Sequence, residues 1–189
     1  MAVSARRGTP LTLEEICATA VRMVDDGGVE GLSMRKLAAE LDVNPMSLYH
    51  HVENKEALLA LICATVGDRM TMPPDDGSPW QEQFKALAMA YYRHALAHPA
   101  LWGYIHNHPE LIADRRRPIW QTLNRILLLA GVPEPELKRT SDVLHAFVSG
   151  FLFAQVQGHL SDDPGEIARM FDMAVSLITH GLQDGFWKG

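Results

Sequence analysis

Three groups of residues in this 189-residue chain have types and spacing that could do chemistry. The first is Asn44, Pro45, Met46, Ser47, Tyr49, His50 and His51, flanked by Ser33, Arg35, Lys36 and Lys55. A short run exposing a methionine, a tyrosine and two histidines beside scattered cations makes a poor solvated surface. The same side chains suit base edges, thymine methyl groups and phosphates in a DNA major groove. The second group is His94, His98, His106 and His108, four of the nine histidines. His94 and His98 stand at i and i+4, and the set could bind zinc or nickel. No cysteine is near and no H-E-x-x-H glutamate is present. Solvated or capping histidines are therefore the favoured reading, and no metal is expected. The third group is Trp102, Tyr104, His106, Trp120, Asn124, Phe147, Phe151 and Gln155. Apolar walls with a few polar groups are the make-up of a small-molecule site, although each residue singly also fits an ordinary core. Arg115-Arg116-Arg117 is either a second anion site or, more simply, a solvated helix start. No nucleophile motif, phosphate loop or dinucleotide fingerprint occurs, so neither enzyme activity nor a cofactor is expected.

The elements that must hold the first group follow from the spacing around it. Ser33 is suited to cap a helix whose Met34, Leu37, Ala38 and Leu41 fall on one face. Asp42 and Val43 make a turn. Asn44 then caps a second, very short helix, with Pro45 at its first position, where a missing N–H costs nothing. Leu48 is its buried anchor, which leaves Pro45, Met46, Ser47, Tyr49 and His50 facing outward. Asn54 caps a third helix beginning at Lys55, with Leu58, Leu61, Ile62 and Val66 inward. Lys55 and the N–H groups at that helix start can hold a phosphate. Two short helices joined by a tight turn form a helix-turn-helix, whose second helix enters the major groove of double-stranded DNA. A generic helical hairpin is the alternative, but it leaves the exposed apolar tips without a purpose.

Leu48-Tyr49-His50-His51-Val52-x-Asn54-Lys55-x-x-Leu58-Leu59, preceded by Gly31-Leu32-Ser33-Met34-Arg35-x-Leu37-Ala38-x-x-Leu41-x-Val43, resembles the signature of the tetracycline-repressor (TetR) family of bacterial transcription regulators. The resemblance implies that Pro45, Met46, Ser47, Tyr49 and His50 face the groove. It also implies that Ser33, Arg35, Tyr49, His51 and Lys55 hold phosphates. Asp42 stands where many members have glycine, and Val52 where an aromatic is common. Trp80-x-Glu82-Gln83-x-x-x-Leu87-Ala88-x-x-Tyr91-Tyr92-Arg93, followed by His98-Pro99, is similar to the C-terminal domain of the same branch. That likeness implies a small-molecule effector.

Composition is that of an ordinary soluble globular protein, 47% hydrophobic and 21% charged. No apolar run is long enough to span a membrane, and Met1 to Pro10 lacks the apolar core of a secretory signal. Cys17 and Cys63 fall inside helical patterns and read as small buried hydrophobes in a reducing cytoplasm. The net charge of −6 argues at first against a nucleic-acid partner. Even residues 1–60 carry six Lys/Arg against nine Asp/Glu. Placement matters more than the sum: Arg6, Arg7, Arg35, Lys36 and Lys55 cluster at the ends of the helices around the short one. Few phosphate contacts per subunit, and reliance on a dimer, are expected.

Along the chain, Thr12 and Glu15 form a capping box for a first helix whose core face is Leu13, Ile16, Ala20 and Met23/Val24 and which stops at Gly27-Gly28. Met72-Pro73-Pro74-Asp75-Asp76-Gly77 breaks the chain, which divides it into a DNA-binding domain at 1–71 and a helical effector-binding and dimerisation domain at 72–189. In the latter, helices are expected from Ser78 (with a second capping box to Gln81) to His98, over Ala100–His106, over Ile112–Ala130 with a kink or a later start near Pro118, over Glu136–Gln157, and over Pro164–Gln183. No strand pattern is visible, so the fold class is all-α. The helix around Val143–Val156 is apolar nearly all round, and the final one carries a stripe from Ile167 to Leu182, with Met173 beside it. Such helices are buried on more than one side, which predicts a homodimer joined by a four-helix bundle of the last two helices of each subunit. A single internal hairpin in a monomer is the alternative. The functional expectation is a cytoplasmic ligand-responsive regulator, a repressor released from a palindromic operator by a small apolar or aromatic effector. A helical small-molecule-binding protein without a DNA role, an activator, or an all-α enzyme using the histidines are the competing readings.

Overall fold

A computed structural model describes residues 10–185; Arg6 and Arg7 lie outside the described residues. Among these, every regular element is helical: α1 (Leu13–Gly31), α2 (Met34–Glu40), α3 (Pro45–Tyr49), α4 (Lys55–Asp68), α5 (Trp80–Ala97), α6 (Pro99–His106), a 3-10 turn (Pro109–Ile112), α7 (Pro118–Leu129), α8 (Glu134–Val156) and α9 (Pro164–Asp184). They form two compact units. The first takes in residues up to Arg69 together with His98–Ala113, and the second Met70–Ala97 with everything from Asp114. The division at 69/70 falls two residues from the boundary drawn at 71/72. The return of α6 to the first unit has no counterpart in that boundary. Its cause is packing: Leu101 is buried among the α1 and α4 side chains, with Ala100, Tyr104, Ile105 and Leu111 against the same core.

The first unit is built on Ile16, Ala20 and Val24 of α1, Leu37 and Ala38 of α2, Leu48 of α3, and Leu58 and Ile62 of α4. Leu13, at the outer end of α1, stays exposed instead of joining them. Thr12 and Glu15 cap α1 reciprocally, the hydroxyl accepting from the Glu15 N–H at 3.2 Å and the carboxylate from the Thr12 N–H at 3.1 Å. Gly28 breaks the helix with φ 69°, ψ 173°, after which the chain makes one more helical turn to Gly31. Arg22 of α1 is paired with Glu40 of α2 at 2.9 Å. His98 Nδ1, at the start of α6, lies 3.0 Å from Asp25 Oδ2 of α1.

The second unit packs α5, α7, α8 and α9 around Phe84, Leu87, Ala88, Trp120, Leu123, Ile126, Leu127, Leu144, Phe171, Val175 and Leu182. One helix start differs from expectation, and another takes the later of the two expected positions. The expected Ser78–Gln81 capping box does not form: the Ser78 N–H donates to Asp76 Oδ1 at 3.0 Å, its carbonyl accepts from Gln83 Nε2 at 2.8 Å, and α5 begins at Trp80. There is no helix from Ile112: α7 begins at Pro118, since proline cannot donate into a preceding turn but fits the first helical position. Cys17 and Cys63 are both buried, free thiols, and burial pushes the Cys17 thiol up. No helix among the described residues is long and apolar enough to cross a membrane.

Candidate functional site

The turn between α2 and α3 is made by one residue in the left-handed region, Asp42 at φ 54°. A short polar side chain tolerates that conformation better than a β-branched one, so the departure from glycine there leaves the turn intact. The Val43 N–H returns to the Ala38 carbonyl at 3.0 Å, and Val43 packs on the first core. Asn44 Oδ1 then accepts from the Met46 N–H at 2.9 Å and starts α3. Ser33 caps α2 through Lys36 N–H at 3.2 Å, and Asn54 caps α4 through Ala57 N–H at 2.8 Å. Each such cap is worth about 1 kcal/mol, a large term for a five-residue helix that cannot persist alone. Leu48, fully buried, pins α3 from below. Val52, 7% exposed, fills the place where the resemblance led one to expect an aromatic.

That scaffold leaves a distinct outer face. Met46 is 63% and Tyr49 47% exposed. Asn44, Pro45, His50 and His51 are also exposed, while Ser47 is half-buried. Arg35 on α2 is exposed and Lys55 at the start of α4 half-buried. Lys36 turns back, its Nζ donating to the Gly31 carbonyl at 3.2 Å. The outer side chains of α3 are thus apolar or neutral polar, and the exposed cation Arg35 lies on α2.

The aromatic group is divided between the two units. Trp102, Tyr104 and His106 sit on α6 in the first unit, where Tyr104 stacks on His108 with centroids 3.9 Å apart. In the second unit Asn124 Oδ1 accepts from the Ser141 hydroxyl at 2.8 Å. Phe151 packs on Tyr92 and Phe171, and Phe147 is exposed. Gln155 keeps a buried Oε1 with no hydrogen-bond partner. The second unit does contain a cavity of about 410 Å³, counting open solvent at its mouth. Its walls are Phe84, Leu87, Ala88, Tyr91, Ile119, Trp120, Leu123, Leu144, His145 and Val148. Of the eight predicted residues, Trp120 alone lines it.

Sequence reasoning missed the polar cluster behind this wall. The Tyr91 hydroxyl lies 3.0 Å from His145 Nε2 and 3.0 Å from Ser149 Oγ, and Ser149 lies 3.3 Å from the same imidazole nitrogen. Burial, with the nearby Arg115 guanidinium second, pushes the His145 pKa down to about 4, so the ring is neutral at pH 7. Burial pushes Tyr91 up. The polar tips are turned toward one another, and the wall presents only apolar surface. Arg115 lies over the Trp120 ring, 3.9 Å from its centroid, and pairs with Asp142, which also holds Lys138 at 2.8 Å. One signal was available. Tyr91 falls in register with Phe84, Leu87, Ala88 and Ala95 on the buried face of α5, and a buried phenol needs a partner.

The histidines are dispersed. His98 faces Asp25, and His108 Nδ1 lies 2.9 Å from the Tyr104 carbonyl. Among the described residues no three His, Cys, Asp or Glu side chains are placed to hold a metal ion.

A capped helix-turn-helix with an exposed outer face, followed by a second helical unit containing an apolar cavity, is an architecture of the helix-turn-helix class of regulators. The comparisons narrow the class. Residues 11–62 match the tetR family of bacterial regulatory proteins, and residues 84–178 the tetracyclin repressor-like C-terminal domain. The chain belongs to the TetR family. It is 33% identical over 150 residues to the HTH-type transcriptional repressor DrrR1 of Streptomyces coeruleorubidus, an alignment covering 77% of this chain and 54% of that protein. It thus spans about half the length of that curated relative. Among solved structures, BioQ of Mycobacterium smegmatis superposes with TM-score 0.77 at 26% identity, over 92% of this chain and 99% of that one. ActR of Streptomyces coelicolor in complex with actinorhodin superposes with TM-score 0.74 at 26% identity, over 94% and 98%. A structure described as BioQ with its natural double-stranded DNA operator superposes with TM-score 0.73 at 25% identity, over 92% and 99%.

Proposed function

We propose that this chain is a cytoplasmic, ligand-responsive transcriptional repressor that binds a palindromic operator as a homodimer and leaves it when a small apolar effector binds the second unit. The observation that carries the reading is the outward set Met46, Tyr49 and His50 on a five-residue helix held by a cap and a single buried leucine. Pro45, Met46, Ser47, Tyr49 and His50 meet the groove, and Ser33, Arg35, Lys36, Asn44, His51 and Lys55 serve the phosphates and the flanking turns. The DrrR1 likeness and the operator-bound BioQ structure support the repressor role. The actinorhodin-bound ActR supports an effector.

The second unit supplies supporting arguments for the other two parts. Val143, Phe147 and Val156 of α8 and Met173 and Leu177 of α9 are exposed apolar side chains, and a methyl group added at Gly150 would meet nothing within 4 Å. A two-fold four-helix bundle of α8 and α9 would cover all of them. The cavity beside Trp120 has apolar walls and a neutral His145, so it favours an uncharged effector, because a buried unpaired charge is costly. Phe151, Asn124 and Gln155 remain candidate effector contacts within that unit, with Phe147 in the bundle seam.

The test is a mobility-shift assay on DNA flanking the protein's own gene. Shifted DNA should be released by an uncharged aromatic compound. Tyr49→Ala should weaken operator binding by about 1–3 kcal/mol with helix content unchanged. Undiminished affinity in that variant would remove α3 as the reading helix.

A further inference from the structure

We infer that Met46 is the base-reading residue of α3 and that it reads the C5-methyl group of a thymine. This rests on the reading of α3 as the DNA-contacting helix. In an α-helix, residues two apart point nearly opposite ways, at 3.6 residues per turn. Leu48 is fully buried, so Met46 projects from the far side of the helix, flanked by Pro45 and Tyr49 of the neighbouring turn. It is the most exposed large hydrophobic side chain among the described residues of the first unit, at 63%. Each base has its own partner type in the major groove. Guanine calls for Arg or Lys, adenine for Asn or Gln, cytosine for Asp or Glu, and thymine, through its methyl group, for an apolar side chain. Pro45–Tyr49 contains none of the first three types. The nearest amide, Asn44, has its side-chain carbonyl engaged by the Met46 N–H. Lys36 is turned back onto Gly31, and Arg35 lies on α2. The central side chain of the face is therefore a flexible, polarizable thioether. The thymine methyl is the one apolar landmark that the groove offers it. Tyr49, His50 and Ser47 supply hydrogen bonds around that contact without matching any base bidentately.

The experiment uses the full-length chain. An operator is first obtained by rounds of in vitro selection from random duplex DNA. Each thymine of the half-site is then replaced in turn by deoxyuridine, which removes the methyl group and leaves base pairing intact, and affinity is followed by fluorescence anisotropy. At one thymine the wild type should lose roughly four-fold per half-site, the effect of one buried methyl group. Altering both half-sites should give roughly fifteen-fold, contributions at separate positions being nearly additive. Met46→Ala, at an exposed position, should fold normally, bind more weakly, and be indifferent to that replacement. If no thymine shows the loss, or if Met46→Ala keeps the full penalty, the assignment is overturned while operator binding itself stands. If selection enriches no sequence at all, the DNA-reading role of α3 fails, and this assignment fails with it.

Discussion

Acidification should strip stability from the second unit through His145 in particular. Its imidazole titrates near 6.5 in an unfolded chain and near 4 in the fold. The cause is burial against Tyr91 and Trp120, with Arg115 adding a like charge. Between those two values the unfolded chain holds a proton that the folded one refuses, so stability falls as pH falls. The full difference corresponds to about 3 kcal/mol, most of it already lost at pH 4.5. The assay is urea unfolding of the wild type and of His145→Gln at pH 7.5, 6.5, 5.5 and 4.5. Protein concentration is held constant, because an oligomer's stability depends on it. The same carboxylates and other histidines are present in both proteins, so the difference reports chiefly on this ring. The wild type should lose about 2–3 kcal/mol relative to the variant over that range. Curves that stay parallel within about 0.5 kcal/mol, a margin small beside the predicted linkage, would show that the ring is not held neutral by its surroundings.

Three other outcomes are expected. Lys55→Ala should weaken binding to all DNA sequences alike and flatten the salt dependence by about one unit; a loss confined to one sequence in competition assays would contradict a phosphate role. Met173→Glu and Leu177→Glu, both at 64% exposed positions, should give monomers with undiminished helix content that bind operator poorly, as read by light scattering and circular dichroism; dimers of wild-type affinity would remove α9 from the interface. Gly28→Ala should destabilise the first unit by about 1–3 kcal/mol, because φ 69°, ψ 173° is a region open essentially to glycine; an unchanged urea midpoint would mean that the break in α1 relaxes freely.

The first unit was legible in the sequence almost residue by residue, because its signals are local. Thr12, Ser33, Asn44 and Asn54 each cap the helix that the pattern assigned to them, and Leu48 is the anchor that spacing required. What sequence could not give was the partnership of distant segments. Leu101 looks like any apolar residue on a short helix, and nothing in its neighbourhood says that it packs on α1 and α4. The lining of the cavity was not legible for the same reason. Aromatic residues were collected by type, whereas the cavity wall is selected by which faces of α5, α7 and α8 meet. On α9 the apolar surface splits in two. Ile167, Phe171, Val175 and Leu182 are buried, while Met173 and Leu177 stay exposed. Periodicity had merged Leu177 with the inner stripe.

Because residues 98–113 return to the first unit, the polypeptide passes between the two units three times, at 69/70, 97/98 and 113/114. The reading head is therefore not a detachable module. A fragment ending at residue 71 would carry every side chain proposed to face DNA yet lack Leu101, leaving a hole in the apolar core it helps to fill. Loss of one buried leucine typically costs about 2–5 kcal/mol, a large share of the stability of a unit of that size. Grafting this head onto another regulator, by recombination or by design, would require transplanting two separate stretches of chain in register. An exchange made only at the first of the three crossings, 69/70, would leave the transplanted unit without the segment that completes its core and so less stable.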